Sequence, residues 1–110
     1  GSADLSERAY PILDDISEIF RNYPEFNIDI SGHTDNRPIS TYRFPSNWEL
    51  STGRATRVLR YLLSHNISPD RLTATGYADI LPRVPNSNTE NQALNRRVEF
   101  ILKQDITNLK

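Results

Sequence analysis

The chain has 110 residues, enough for one domain with a single hydrophobic core. Its net charge is −1 and 25% of its residues are charged, so composition does not favour nucleic acid as a partner. The absence of cysteine excludes disulfide bonds, thiolate metal sites and thiol nucleophiles. No stretch approaches the roughly 20 apolar residues of a membrane span, and the first residues lack the apolar core of a signal peptide.

Residues 5–105 are expected to form the domain, with 1–4 as a linker or tag remnant and 106–110 as a tail. Apolar residues spaced by threes and fours, Ile12 and Ile16 among them, form one helical face and predict a helix over 7–22. Alternation of apolar and polar residues then predicts a strand over 26–31, and Gly32 permits a tight turn at its end.

A long polar loop, 33–45, follows this strand, and loops of such length often carry function. The next helix begins with a capping box in which Ser46 caps and Glu49 reaches back, and Asn66 is a plausible stop. Trp48 lies on its apolar face. Core packing is therefore the preferred interpretation of Trp48, over a platform for stacking sugars.

Three further elements complete the pattern: a strand over 71–75, a short helix from a second capping box at Ser87 to about Leu94, and a last strand. In that strand Val98, Phe100 and Leu102 alternate with Glu99, Ile101 and Lys103. Alternating helices and strands predict an α+β two-layer sandwich, with helices packed on one face of a small mixed sheet. If the full protein has a further strand before the first helix, its absence from this sequence would leave one edge of the sheet exposed.

The candidate site begins where the first strand ends, at His33, Thr34 and Asp35. Three interpretations compete. A metal site needs more ligands than the sequence places here, and a catalytic base has no recognisable nucleophile motif beside it. The third is a turn in which Thr34 and Asp35 satisfy local backbone donors.

Arg54 makes a binding site more plausible. In steps of 100° per residue, it lies with Asn47, Ser51 and Val58 at the border of the apolar stripe, so its guanidinium lies along the core margin. It could form an ion pair with Asp35. Alternatively, Arg54 binds a carboxylate and Asp35 an ammonium group, and the helix start at Asn47 favours the same anion. A ligand with both charges would suit this arrangement.

Arg96 and Arg97 lie between the short helix and the last strand. Because neighbouring residues of a strand point to opposite faces, only one of them can face the same site. Asn95 before them is interpreted as a helix C-cap or turn residue.

The chain resembles the OmpA-like peptidoglycan-binding domain over about residues 5–103. The likeness consists of several ordered blocks at compatible spacings. These blocks are residues 30–35 (ISGHTD), 47–51 (NWELS), Arg54-Ala55, Gly76-Tyr77, Pro82, Asn86 and 95–99 (NRRVE).

Within that family, residues 35–40 (DNRPIS) and 46–51 (SNWELS) resemble the flagellar stator branch, the MotB and PomB proteins. The long insertion between Asp35 and Asn47 favours the same branch. Two positions depart from the family pattern: Gln92 stands where an arginine is frequent, and Ala78 where many members have glycine.

The resemblance implies non-catalytic binding of the peptide stem of peptidoglycan, in particular of its zwitterionic diaminopimelate. By the same likeness, the ligand-binding residues are Asp35, Arg54, Asn47 and Arg96, with Thr34 as a weaker candidate. It also implies a homodimer, no cofactor or metal, and a periplasmic domain of a bacterial inner-membrane protein. An ion-channel subunit would be its partner, through a transmembrane helix outside this sequence.

Other functions remain open. An outer-membrane tether of the OmpA or Pal type would use the same site. An enzyme acting on peptidoglycan stems could use His33 or Asp35 as a base. A protein-binding module would leave Asp35 and Arg54 paired with each other.

Overall fold

A computed structural model describes residues 4–104. The predicted tail 106–110 and most of the predicted segment 1–4 lie outside this range. Within it no helix is both long and apolar enough to cross a bilayer. Helices and strands follow one another in the predicted order, and a short 3-10 turn, Pro69–Arg71, precedes the second strand. The elements are α1 (Ala9–Asn22), β1 (Phe26–His33), α2 (Asn47–Ser64), β2 (Leu72–Gly76), α3 (Thr89–Asn95) and β3 (Arg97–Gln104).

The three strands form a mixed sheet in the order β2-β1-β3. β1 runs parallel to β2, with α2 as the crossover between them, and antiparallel to β3. Gly32 pairs with Gly76 on one side, and His33 pairs with Arg97 on the other. One end of the sheet therefore brings together the last residues of β1 and β2 and the first residues of β3.

The hydrophobic core lies on one face of this sheet. Ile28 and Ile30 alternate with polar residues along β1, so both point to the same side, where they are almost fully buried. Burying such a side chain contributes about 1.5–3 kcal/mol. α1 and α2 cover them, which confirms the predicted two layers. The core consists of Leu13, Phe20, Ile28, Ile30, Ala55, Val58, Leu62, Ile67 and Leu72.

Both predicted ends of α2 are confirmed. The Ser46 hydroxyl accepts a hydrogen bond from the backbone N–H of Trp48 at 3.1 Å and donates one to the Glu49 carboxylate. At the other end Asn66 has φ of 67°, the left-handed conformation of a helix stop. The N–H of Ile67 then donates to the carbonyl of Leu62 at 3.1 Å.

Other boundaries differ from the prediction. α1 begins two residues later than predicted, at Ala9, and β1 continues past Gly32 to His33. The cap of α3 is Asn88 and not Ser87. Asn88 is extended, with φ of −158°, and its side-chain oxygen accepts from the N–H of Asn91 at 2.8 Å.

Gly32 does not make the predicted turn. It lies within β1, and no glycine of the described range has a positive φ. Its role is close approach, because a Cβ at this position would lie 2.9 Å from the carbonyl carbon of Ser51 in α2. The absence of a side chain lets β1 and α2 pack directly on each other.

Several apolar side chains that were predicted to face the core are exposed. Ile12 of α1 and Leu102 of β3 are examples. Trp48 is 51% exposed, so the prediction that it packs in the core is wrong. In the first turn of α2, Leu50 is buried instead, because the loop after β1 packs on the Leu50 side of the helix.

Candidate functional site

A cavity of about 280 Å³ lies at the end of the sheet where β1 ends. Its walls come from three parts of the chain: the loop after β1, the first turns of α2, and the junction between α3 and β3. All five residues predicted as ligand contacts line it, although their binding role stays a prediction. The lining residues are Thr34, Asp35, Arg37, Pro38, Ile39, Asn47, Leu50, Arg54 and Arg96.

Backbone hydrogen bonds between the ends of β1 and β2 place Thr34 and Asp35 in the cavity wall. The N–H of Thr34 donates to the carbonyl of Ala78 at 2.9 Å, and the N–H of Tyr77 donates to the carbonyl of Gly32 at 3.0 Å. Ala78 has φ of 51°, a region that favours glycine, which agrees with the glycine of many family members. The Thr34 hydroxyl donates to the carbonyl of Asp35 at 3.0 Å. Thr34 therefore stabilises the loop through local contacts.

Among the described residues that line the cavity, Asp35 alone carries a carboxylate, and it is 4% exposed. The Nε and Nη2 atoms of Arg37 donate to its Oδ2 at 3.0 and 2.7 Å, and Nη1 of Arg96 donates to the same oxygen at 2.7 Å. The backbone N–H of Arg37 donates to Oδ1 at 3.0 Å. Burial raises the pKa of Asp35, but these hydrogen bonds outweigh burial and lower the pKa to about 2.

Arg54 is half-buried at the core margin, as helix geometry predicted. Nη1 of its guanidinium donates to the carbonyl of His33 at 3.3 Å. Burial and the neighbouring Arg96 lower the pKa of Arg54, while Asp35 opposes that change. Within residues 4–104, the ion pairs of Asp35 are with Arg37 and Arg96, so the anticipated pair of Asp35 with Arg54 is absent there.

Asn47, the first residue of α2, links the helix to the loop. Its Nδ2 donates to the carbonyl of Arg37 at 3.0 Å and lies 3.5 Å from the carbonyl of Asp35. These contacts fix the loop relative to the N-terminus of α2, where the positive end of the helix dipole favours an anion.

As predicted, only one arginine of the Arg96-Arg97 pair lines the cavity, although Arg96 lies before β3 and not within it. Arg96 pairs with Asp35, whereas Nε of Arg97 donates to Glu99 at 2.6 Å and its Nη2 donates to the carbonyl of Leu81 at 3.0 Å. The lining residues within 4–104 thus provide three guanidinium groups and one carboxylate. Such an excess of positive charge favours a ligand with a carboxylate.

Two contributions to the site were missed in the sequence. Arg37 was not singled out, although a cation two residues after Asp35 was a visible signal. Asn95 was interpreted as a cap, but its buried side chain connects α3 to the preceding loop. Its Oδ1 accepts from the N–H groups of Arg83 and Val84, and its Nδ2 donates to Val84 and to Asn86, all at 2.8–3.0 Å.

His33 lies outside the cavity lining, which weakens its candidacy as a catalytic base. Its ring is 3% exposed and stacks on Tyr77, with 5.3 Å between centroids. Asp35, with a pKa of about 2, is also a poor base near neutral pH. Across residues 4–104, no three His, Cys, Asp or Glu side chains are grouped as a metal site requires.

The exposed Trp48 lines a different cavity, on the outer side of α2. This groove of about 510 Å³ also contains Phe44, whose ring lies 5.3 Å from the guanidinium carbon of Arg43. Trp48 is therefore neither a core residue nor part of the Asp35 cavity.

Comparison with known proteins places these observations in a family. Residues 1–96 match the model of the OmpA family, and the chain belongs to that family. The Bacillus subtilis protein YtxE is 43% identical over 108 residues, 97% of this chain and 44% of YtxE. Motility protein B of Helicobacter pylori is 34% identical, over 88% of this chain and 38% of that protein. The peptidoglycan-binding protein ArfA of Mycobacterium tuberculosis is 30% identical, over 91% of this chain and 29% of ArfA. The chain thus spans less than half of each relative.

Solved structures show the same fold. The periplasmic domain of Helicobacter pylori MotB aligns with a TM-score of 0.88 and 29% identity, over 98% of this chain and 69% of that one. The cell wall anchor of the type VI secretion system from Pseudomonas aeruginosa aligns with a TM-score of 0.85 and 38% identity, over 94% and 72%. The α/β fold of the MotB periplasmic domain is therefore shared by this chain.

Proposed function

We propose that this domain binds the peptide stem of peptidoglycan without catalysis and so anchors a larger assembly to the cell wall. The observation that supports this most directly is the cavity that combines Asp35 with Arg54, Arg96 and Asn47. Diaminopimelate carries carboxylate and ammonium groups on one residue. A cavity with an excess of guanidinium groups and one buried carboxylate is chemically matched to such a zwitterion.

In this proposal Arg54 and Arg96 bind the carboxylate of the ligand, Asp35 accepts its ammonium group, and Asn47 fixes the loop. Two charge-assisted contacts favour binding, whereas desolvation of the charged groups opposes it. The difference supports weak to moderate affinity for one muropeptide. Stable anchoring then requires that several copies of the domain bind the wall together, and a homodimer is the smallest assembly that provides this.

The assembly that we propose is a flagellar stator, with this domain in the periplasm and an ion-channel subunit as its membrane partner. Likeness to MotB proteins supports this choice. The likeness to a type VI secretion anchor supports a second candidate, anchoring of a different envelope machine by the same site. Stator function would be tested by restoring motility in a strain that lacks its own MotB.

Ligand binding is tested by titrating the domain with a diaminopimelate-containing muropeptide while following backbone amide shifts. We expect saturable shifts at residues 34–37 and 54, and loss of binding in the Asp35→Ala and Arg54→Ala variants. Arg60→Ala removes a charge from the same helix outside the cavity and is the matched control. Shifts elsewhere, or equal binding by all variants, would exclude this site. Turnover of the muropeptide during long incubation would contradict the non-catalytic role.

A further inference from the structure

Arg37 occupies the position at Asp35 where an ammonium group of a ligand is expected. Its guanidinium donates two hydrogen bonds to Oδ2, and Arg96 donates a third to the same atom. One carboxylate oxygen offers about two lone-pair positions, so Oδ2 is saturated. Oδ1 already accepts the backbone N–H of Arg37. The carboxylate thus accepts four hydrogen bonds, about the number that its lone pairs allow, so an ammonium group that is to donate to Oδ2 must displace a guanidinium.

The two arginines differ in how easily they can leave. The side chain of Arg37 is 59% exposed and extends from a loop, whereas that of Arg96 is 35% exposed. Arg96 also follows α3 directly, where its backbone N–H donates to the carbonyl of Gln92 at 3.2 Å. Arg37 is therefore the group that an incoming cation displaces at the lower cost.

We propose that Arg37 stands in for the ammonium group of the ligand in the unliganded domain and exchanges with it on binding. This inference rests on the proposed peptidoglycan function and adds a specificity-determining residue to it. A ligand without a free amino group cannot take the place of Arg37 and leaves it on Asp35. The exchange thus selects diaminopimelate stems with a free amine over stems in which that amine is acylated or cross-linked.

Removal of Arg37 affects binding in two opposite ways. The carboxylate of the ligand loses one attractive charge, but Arg54 and Arg96 remain in the cavity. The ammonium group loses a competitor that donates at 2.7 Å to a carboxylate whose side chain is 6% exposed. Because the competitor acts at direct contact and the lost attraction is screened by water and salt, the second effect dominates.

Calorimetric titration of Arg37→Ala, Arg37→Lys and wild type with two muropeptides tests the exchange. One muropeptide has a free diaminopimelate amine, and in the other this amine is acetylated. We expect Arg37→Ala to bind the free-amine ligand about fivefold more tightly than wild type. Arg37→Lys retains the competing charge and should remain near wild type. For the acetylated ligand Arg37→Ala should bring no gain. Arg43→Ala removes an arginine from the same loop without touching Asp35, and it should change neither affinity.

Each outcome decides between distinct ideas. Weaker or unchanged binding of the free-amine ligand by Arg37→Ala, with wild type binding normally, overturns the exchange and leaves the peptidoglycan function intact. An equal gain for both ligands also overturns it, because the effect would then not depend on the amine. Binding by Arg37→Ala where wild type shows none supports the exchange. Failure of every protein to bind either ligand overturns the proposed function and the exchange together.

Discussion

Gly32 of β1 and Ser51 of α2 are in direct backbone contact at the base of the candidate site. A Cβ at Gly32 would lie 2.9 Å from the carbonyl carbon of Ser51 and 3.4 Å from Cβ of Ala55. Ser51 also accepts a hydrogen bond from the N–H of Ala78 through its hydroxyl, at 3.0 Å. This contact sets the distance between the loop that carries Asp35 and the helix that carries Arg54.

Substitution of Gly32 by alanine tests that contact. The methyl group would overlap backbone atoms of α2, which cannot move aside as a flexible side chain can. We expect the free energy of unfolding to fall by about 3 kcal/mol, at the upper end for overpacked sites. Urea denaturation followed by circular dichroism measures this. A loss below about 0.5 kcal/mol would show that β1 and α2 can separate without cost.

Periodicity in the sequence was sufficient for the layers of the fold and for part of the site. Apolar spacing predicted α2 and β1, and capping residues predicted both ends of α2, because these features depend on neighbours within four residues. The position of Asp35 after a strand and of Arg54 at a helix border indicated a shared site. The helix start at Asn47 and the Arg96-Arg97 pair were noted from geometry, but resemblance to the family was needed to assign Asn47 and Arg96 as ligand-binding residues.

The remaining features depend on contacts between distant parts of the chain. The hydrogen bonds of Asn95 reach the loop at Arg83 and Val84, whose path no local pattern specifies. The pairing of Arg37 with Asp35 depends on the turn between them. Trp48 was placed in the core because helix periodicity does not show which side of the first turn the loop covers.

The ionised Asp35 stabilises the fold at neutral pH. Its pKa is about 2 in the folded protein, below the ordinary value of 3.8 for an aspartate. A lowered pKa means that its stabilisation is complete above about pH 4 and is lost as pH falls toward 2. We expect Asp35→Asn to be less stable than wild type by roughly 2 kcal/mol at pH 6, and equally stable near pH 2.

Urea titrations of both proteins at pH 6, 4 and 2.5 measure the difference. Glu25→Gln, which neutralises an exposed carboxylate, is the control and should change stability by less than about 0.5 kcal/mol. A constant difference between wild type and Asp35→Asn at all three pH values would contradict the ionic origin of the stabilisation.

Asn95 connects α3 to the loop before it with four hydrogen bonds, two accepted and two donated. Its side chain is fully buried, so Asn95→Ala leaves backbone groups of Arg83 and Val84 without partners. We expect the free energy of unfolding of Asn95→Ala to fall by about 2–4 kcal/mol. Trypsin should also cleave after Arg83 faster than in wild type, because the loop is released.

Asn91→Ala is the matched control for this experiment. Its side chain makes one exposed hydrogen bond, to Ser87 at 3.2 Å, so we expect a loss below about 1 kcal/mol and no faster cleavage. Equal behaviour of the two variants would show that the loop does not depend on Asn95.

His33 is buried, and neither ring nitrogen has a hydrogen-bond partner within the described part of the chain. Burial, followed by the nearby Arg97, lowers the pKa of His33, while Glu99 opposes the change. The folded protein therefore protonates His33 less readily than the unfolded chain does. The contribution of neutral His33 to the stability of the fold is fully present above about pH 6.5 and is lost as pH falls below that value.

Replacement of His33 by leucine removes both unpaired nitrogens but keeps an apolar side chain against Tyr77. At pH 7.5 we expect the free energy of unfolding of His33→Leu to be within about 1 kcal/mol of wild type or higher. The reason is that the buried ring nitrogens of His33 make no hydrogen bond that the substitution would remove. Between pH 7 and 5, wild type should lose stability relative to His33→Leu. The ring signals of His33 in wild type, followed by NMR, should titrate at a lower pH than those of a histidine in the unfolded chain. Early protonation of His33, together with a greater stability of wild type at low pH, would instead indicate that His33 forms an ion pair with Glu99, whose carboxylate lies 3.9 Å from Nε2.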